Sequence, residues 1–393
     1  MNETFNFTSR LKTISIVLML IGAAALAGGF VVYSGDEINR VWANLLLDSV
    51  FFMGIGMGAA FFIAAVYLAW GGFSVVFKRV PEAISQWMPI AAVILLLVLI
   101  AGHGNLYEWT HMEEVEKDPV LKGKSAYLNL PFFFIRFAFF VGALVTCTIL
   151  LRKTSLKEDT MTSGDTSMYK RSLVIASVFI PFFAVYILVT AWDWLMSLDP
   201  HWYSTMYGWY SFASFWVTSI AVITLFTIYL KKQGYLKEVN VNHLHNLGIM
   251  MFAFSIFWTY VTFCQFMLIW YANIPEETIY FQHRYGHYKP LFYGIFVLNF
   301  VLPFLLLMSR DAKRNMNRLV LVACIIIIGH FTDFYLMIMP ATVGDNNGFG
   351  FLEIGLPCLY IGLLLYVVFS SLAKAPLVPK NHPFLQESIH NSL

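Results

Sequence analysis

The sequence predicts an all-α integral membrane protein of about ten transmembrane helices, built as two four-helix bundles with one further helix at either side. Three observations predict it. Hydrophobic residues make up 59% of the 393 and charged residues only 12%, with a mean hydropathy of +0.68, which excludes an ordinary soluble domain. The chain contains ten apolar runs of about 20 residues or more, and at ~1.5 Å per residue each is long enough to cross a hydrocarbon core of ~30 Å. The fifth and ninth runs also end alike, because Asp193 precedes Pro200 by the spacing with which Asp333 precedes Pro340. Lipid offers no water to unpaired backbone groups, so these runs form helices.

The runs lie near 13–33, 42–70, 86–107, 131–151, 172–198, 209–230, 245–271, 290–309, 318–339 and 351–372. The first follows Arg10 and Lys12, and Ala23, Ala24 and Ala25 imitate a cleavage site. Its apolar stretch continues to Val32, longer than a signal-peptide core of about 7–15 residues, so a retained anchor is expected. In the second run, Gly54, Gly56 and Gly58 lack the strand–turn–helix setting of a nucleotide loop; they predict a small-residue face for close helix packing. The third carries His103 and Tyr107 on one face, with Asn105 and Glu108 on another. The fourth begins at Pro131 and places Arg136 about 8 Å into the membrane.

The fifth run stacks Tyr186, Thr190, Asp193 and Ser197 on one side, at spacings of four, three and four. The seventh carries Thr259, Thr262 and Gln265 along one side and His243 and His245 at its start, and the ninth sets His330 and Asp333 at i, i+3. The fourth and eighth runs both open with proline after a tyrosine-bearing loop, Tyr127 to Pro131 and Tyr288 to Pro290. Within a single membrane domain of 1–393, this predicts a parallel repeat: a first bundle over 42–198, a second over 209–339, and peripheral helices at 13–33 and 351–372. Arg136 has no counterpart near Ile295 in the second copy.

Orientation follows from Lys and Arg. Eighteen of the 25 fall on the side of the N-terminus and six on the other, with Arg136 inside a run, so the positive-inside rule puts both termini in the cytoplasm. Trp42, Trp109, Trp192, Trp194, Trp202, Trp209 and Trp270 crowd the opposite side and are expected to form an interfacial belt. The loop from His111 to Asp118 reads as a solvated acidic segment. Cys147, Cys264, Cys324 and Cys358 all lie in runs without a C-x-x-C pair, which excludes Cys-held iron–sulfur, zinc and c-type haem sites in this chain. No loop exceeds about two dozen residues, too short for a separate redox domain.

Function is expected where charge enters hydrocarbon. Asp48, His103, Arg136, Asp193, His330 and Asp333 all fall toward the non-cytoplasmic side, and intramembrane ionisable groups usually mark a pathway or a site. Histidine titrates near neutrality, so the set suits proton exchange with the outer aqueous phase; the alternative is a static ion-pair network that fixes helix packing. His103 and His330, each after a glycine, form one potential axial pair for a b-type haem, but nearby polar residues compete for both. The cytoplasmic halves look poorer, so an outer half-channel is expected and a complete wire is not. Tyr186, Thr190, Asp48 and Glu108 complete the candidate set.

Two stretches resemble a known family: Asp193 to Gly208, DWLMSLDPHWYSTMYG, and Gln265 to Thr278, QFMLIWYANIPEET. Both are similar to the ActF family of membrane proteins in bacterial alternative complex III, and more distantly to the NrfD and polysulfide-reductase membrane subunits. With ten spans and little extramembrane mass, the resemblance covers nearly the whole chain. It implies a subunit of a quinol:cytochrome c (or high-potential iron–sulfur protein) oxidoreductase in the bacterial inner membrane, inactive alone and holding neither cofactor nor catalytic residue of its own. The resemblance places c-type haems and Fe–S clusters on partners, namely multihaem cytochrome c subunits and an Fe–S subunit, and quinol on a homologous NrfD-like sister subunit. Lipids are the other expected partners, and nucleic acid is not one. It further implies proton conduction, carried onto Asp193, His330 and Asp333 with Arg136 and His103 in support. A secondary transporter built from two parallel repeats, and a structural scaffold that docks redox subunits, are the competing readings.

Overall fold

The computed structural model describes residues 3–345 and 348–391. They contain ten helices long and apolar enough to cross a membrane: α1 (Ser9–Val32), α2 (Ile38–Leu68), α3 (Arg79–Leu106), α4 (Leu130–Glu158), α5 (Ser167–Leu198), α6 (Tyr207–Lys232), α7 (Val241–Ala272), α8 (Lys289–Leu307), α9 (Met316–Thr342) and α10 (Phe351–Leu372). The protein is a multi-pass, all-α membrane protein. Local chemistry sets several starts. The Asn129 side chain caps α4 ahead of Pro131, Asn315 caps α9, and Asn240 forms a reciprocal cap with His243 on α7. An even number of crossings returns the chain to one side, where Leu377 N donates to Glu3 O at 3.0 Å. That side is the terminal face, and the other is the opposite face.

α2 and α6 form the centre, with 83% and 89% of their most apolar stretches buried against 17% for α1. In the first bundle α2 packs on α3 and α5, and α4 on α5; in the second α6 packs on α7 and α9, and α8 on α7 and α9. The bundles join where α2 meets α6 and α9. Glycine makes that junction close. Gly54 and Gly58 face Phe215 and Ser219 of α6, and Ser219 Oγ lies 3.2 Å from the carbonyls of both Gly54 and Ile55. α1 and α10 pack on each other through Gly22, Gly29, Gly355 and Gly362, and α10 lies against α2.

The tryptophan belt needs correcting. Trp209 and Trp270 are exposed, but Trp109, Trp194 and Trp202 are buried: Trp202 stacks on Tyr280 at 4.1 Å and Trp194 packs near Tyr186 and Phe137. Here the opposite end of the bundle carries its own aromatic core, which a tryptophan count cannot separate from an interfacial girdle.

α3 and α4 extend beyond their apolar runs, which brings buried Arg79, Glu82 and Arg152 into contact at the terminal face and sets buried Glu158 3.7 Å from Lys78 Nζ. Glu82 Oε2 accepts from Arg79 Nη1 at 2.7 Å and Arg152 Nη1 at 2.6 Å, while Oε1 accepts from Ser155 Oγ at 2.5 Å. Arg79 also pairs with Asp159, and Lys78 donates to Tyr67 Oη at 2.6 Å. Buried charge thus gathers at the terminal face as well, just outside the apolar runs. The tail after α10 covers this network: Asn381 Nδ2 donates to Met161 O at 2.7 Å, Ser388 Oγ to Phe73 O at 3.0 Å, and His243 Nε2 lies 2.9 Å from Ser388 O.

Candidate functional site

The charged residues expected to cluster near the opposite face occupy three separate places. In the first bundle, α5 departs from α-helical winding at a π-helical turn, Ala191–Leu195, that carries Asp193; such turns recur at functional sites. Arg136 of α4 meets it as a fork, Nε to Oδ2 at 2.7 Å and Nη2 to Oδ1 at 3.0 Å. Its remaining nitrogen donates to Tyr127 O at 3.0 Å, and the guanidinium stacks 3.8 Å from the Tyr127 ring and 4.3 Å from that of Phe132. Tyr107 closes the site from α3, its hydroxyl donating to Trp194 O at 3.1 Å. The pair is buried, saturated and electrically neutral. The polar stripe expected along α5 does not extend it, because Thr190 and Ser197 return their hydroxyls to the carbonyls of Tyr186 and Asp193 on their own helix. Tyr186 is buried beside Phe183 and Trp194. An open groove of about 560 Å³ flanks the site, lined in part by Lys124, Tyr127, Trp192 and Tyr203.

Asp333 in the second bundle is held quite differently. Its Oδ1 accepts from the Tyr210 hydroxyl, and its Oδ2 accepts from Ser214 Oγ at 2.5 Å and Trp258 Nε1 at 2.9 Å. His330 Nδ1 stands 3.6 Å from Oδ2, beyond hydrogen-bond reach, with its ring edge-on to Trp258 at 5.4 Å. Three neutral donors from α6 and α7 thus surround a fully buried carboxyl.

The second bundle does own a buried arginine, but a loop supplies it. Arg284 lies on the short helix Pro275–Gly286 between α7 and α8. Its Nε and Nη2 donate to Leu336 O at 3.0 and 2.7 Å, and Nη1 donates to Tyr280 O at 2.7 Å. Pro340 explains the first contact: lacking an N–H, it cannot bond the carbonyl four residues back, which is that of Leu336. Arg284 caps the orphan carbonyl. Two small cavities meet at Arg284 and Tyr280. One reaches Asp199 and His283 and the other reaches Thr262, Gln265 and Tyr210, each about 20 Å³, room for a single water. Tyr280 and Arg284 line both, with Asp199 and His283 beside the one and Tyr210, whose hydroxyl touches Asp333, beside the other.

Asp48 belongs to neither place. It is buried on α2 close to Glu353 and Tyr360 of α10, and among the described residues neither carboxyl oxygen has a hydrogen-bond partner. One and two turns nearer the opposite face on α2, Asn44 and Arg40 bind Glu353 at 3.0 and 2.8 Å. His103, half-buried at the end of α3, joins none of these sites, and Glu108 is exposed. His103 and His330 lie in different bundles, and among the described residues no group of three or more His, Cys, Asp or Glu could hold a metal ion. Sequence reasoning missed Tyr210, Ser214, Trp258 and Arg284. The only available signal was that Tyr210 and Ser214 lie one turn apart on α6, below the level of a recognisable motif. No protein-family model matches the chain, and no curated protein is significantly similar to it.

Proposed function

We propose that the chain is a cofactor-free membrane subunit of a quinol:cytochrome c (or high-potential iron–sulfur protein) oxidoreductase of the alternative complex III kind, and that it exchanges protons between the periplasm and Asp333. One observation carries the proton role: a membrane-buried carboxyl bonded only to neutral donors, two of them hydroxyls, beside water-sized cavities. A carboxylate locked to arginine gives up its charge at high cost, whereas hydroxyl donors hold either protonation state and can relay. Tyr210 passes its proton to Asp333 Oδ1 and takes another from water in the adjoining cavity. Arg284 and Tyr280 line that cavity, and Asp193 with Arg136 fixes the first bundle.

The test is Asp333→Asn in the purified assembly, reconstituted in vesicles. Asparagine preserves the shape, so assembly should survive while proton release falls by roughly a hundredfold. Full turnover with full proton stoichiometry would leave a docking scaffold as the better account. Purification through a tag on the terminal face checks the complex itself. Multihaem c-type cytochromes and a large Fe–S protein should co-purify; a lone, haem-free polypeptide would favour a secondary transporter.

A further inference from the structure

Below Asp333 lies a second polar layer whose side chains, among the described residues, leave polar atoms without a hydrogen bond. α7 and α9 run toward the opposite face and α8 runs back. Trp258, Phe296 and Asp333 share one level, since Trp258 bonds Asp333 at 2.9 Å and its ring lies 5.9 Å from Phe296. Three residues further toward the terminal face on each helix, about 4.5 Å deeper, stand Ser255 on α7, Asn299 on α8 and His330 on α9. They are 1%, 0% and 0% exposed. Among the described residues, Ser255 Oγ, both polar atoms of the Asn299 side chain and both ring nitrogens of His330 have no hydrogen-bond partner.

The backbone is arranged for polarity at this level. Asn299 sits in the π-helical turn Val297–Val301, and Pro303 has no N–H to return to the Asn299 carbonyl. Its amide oxygen lies where a side chain on Gly329 would stand, so only glycine before His330 leaves room for it. A single buried amide without partners costs on the order of several kcal/mol in hydrocarbon. Three such side chains at one level of neighbouring helices supply the two to four polar partners that an internal water requires.

We infer that Ser255, Asn299 and His330 bind an internal water between α7, α8 and α9, which carries the proton path one step inward from Asp333. The role in conduction rests on the proposed function; the binding of water does not. Each step is a proton hop. When the 3.6 Å gap between them closes to hydrogen-bond distance, Asp333 gives its proton to His330 Nδ1, the opposite ring nitrogen releases one to the water, and the water passes one on, so no bond other than O–H or N–H changes. Asn299 keeps its protons and orients the water, which makes it a positioning residue.

Two measurements test this. A cryo-electron microscopy map detailed enough to show ordered waters should place one within hydrogen-bond distance of Asn299 and His330. A dry layer, with the amide bonded to protein alone, overturns the inference whatever the chain does. In reconstituted vesicles, Asn299→Leu should slow proton release roughly tenfold or more, and Asn299→Ser, which still binds water, should restore most of it. If Asn299→Leu releases protons normally while Asp333→Asn does not, the inner layer is wrong and the outer pathway stands. Should Asn299→Leu fail to fold, Ser255→Ala takes its place, with slower release again the expected result and normal release overturning the relay.

Discussion

Asp193 and Asp333 occupy matching places, each seven residues before a proline near the end of the last helix of its bundle, yet their surroundings are opposites. Asp193 meets a guanidinium in a two-bond fork, whereas Asp333 meets two hydroxyls and an indole. Each bundle buries an arginine near this level. In the first it comes from a membrane helix and neutralises the carboxylate; in the second it comes from a loop and caps the carbonyl that Pro340 leaves free. Position alone therefore does not assign a role. A carboxylate paired with a fixed cation is a lock, and one surrounded by neutral donors is free to gain and lose a proton.

The largest effect should come from breaking the lock. Asp193→Asn leaves Arg136 buried with no countercharge, and losing one partner of a buried pair costs about 3–5 kcal/mol. Thermal unfolding in detergent should show it as a large fall in midpoint or a loss of folded yield. Replacing both partners together, Arg136→Met with Asp193→Leu, should recover most of the loss, because the desolvation cost disappears with the charges. A nearly neutral Asp193→Asn would show that the two carboxyls are alike after all and remove the basis of the contrast.

A smaller effect should follow from thinning the cage. Tyr210→Phe removes one donor from Asp333 and leaves two, at a cost of about 1.5–3 kcal/mol if the carboxyl is ionised and nearer 1 if it is neutral. Proton release should fall more than stability does, since the lost hydroxyl is also the link to the water-sized cavity. Tyr107→Phe is the matched control in the first bundle; it removes a hydroxyl that, among the described residues, bonds Trp194 O alone, and it should leave proton release unchanged. Equal losses from both would mean that either tyrosine serves packing alone.

How much of this was legible in the sequence depended on range. The ten helices, the glycine junction at Gly54 and Gly58, and the paired places of Asp193 and Asp333 are written in local composition and spacing. Arg136 was visible as a charge inside a run, but its choice of Asp193 was not, because a fork geometry depends on how two helices cross. Tyr210, Ser214 and Trp258 were invisible for the same reason: each is an ordinary membrane-helix residue until α6 and α7 are folded against α9. The network around Glu82 was hidden by a different effect. Apolar runs end where charge begins, but α3 and α4 continue through Arg79 and Glu158, because opposite charges on neighbouring helices satisfy each other there. The oppositely charged Arg79 and Glu82, one turn apart, were the clue available.

The smallest effect compares how the tail grips the two bundles at the terminal face. Its hold on the second bundle is made of neutral hydrogen bonds, from Asn240 and Asn242 to the Asn391 carbonyl at 3.1 and 3.0 Å. Its hold on the first includes His382, buried between Tyr67 and Tyr169 in a cavity that Lys78 also lines. Burial, then the positive charges of Lys78 and Arg79 against the partial offset of Glu82, push this imidazole down from 6.5 to about 2. The folded state thus keeps His382 neutral while the released tail protonates near 6.5. The stabilisation is complete above that pH and is lost as pH falls below it, by at most about 1.4 kcal/mol per unit. Limited proteolysis of the tail should therefore accelerate between pH 7 and pH 5, with cuts first between Lys380 and Leu385 and the Asn391 end released later. His382→Phe keeps an aromatic ring and removes the titration, so its cleavage rate should be flat over the same interval. A variant that still loosens with acid would shift the pH sensitivity to the carboxylates around Lys78, and the tail would then hold both bundles in the same way.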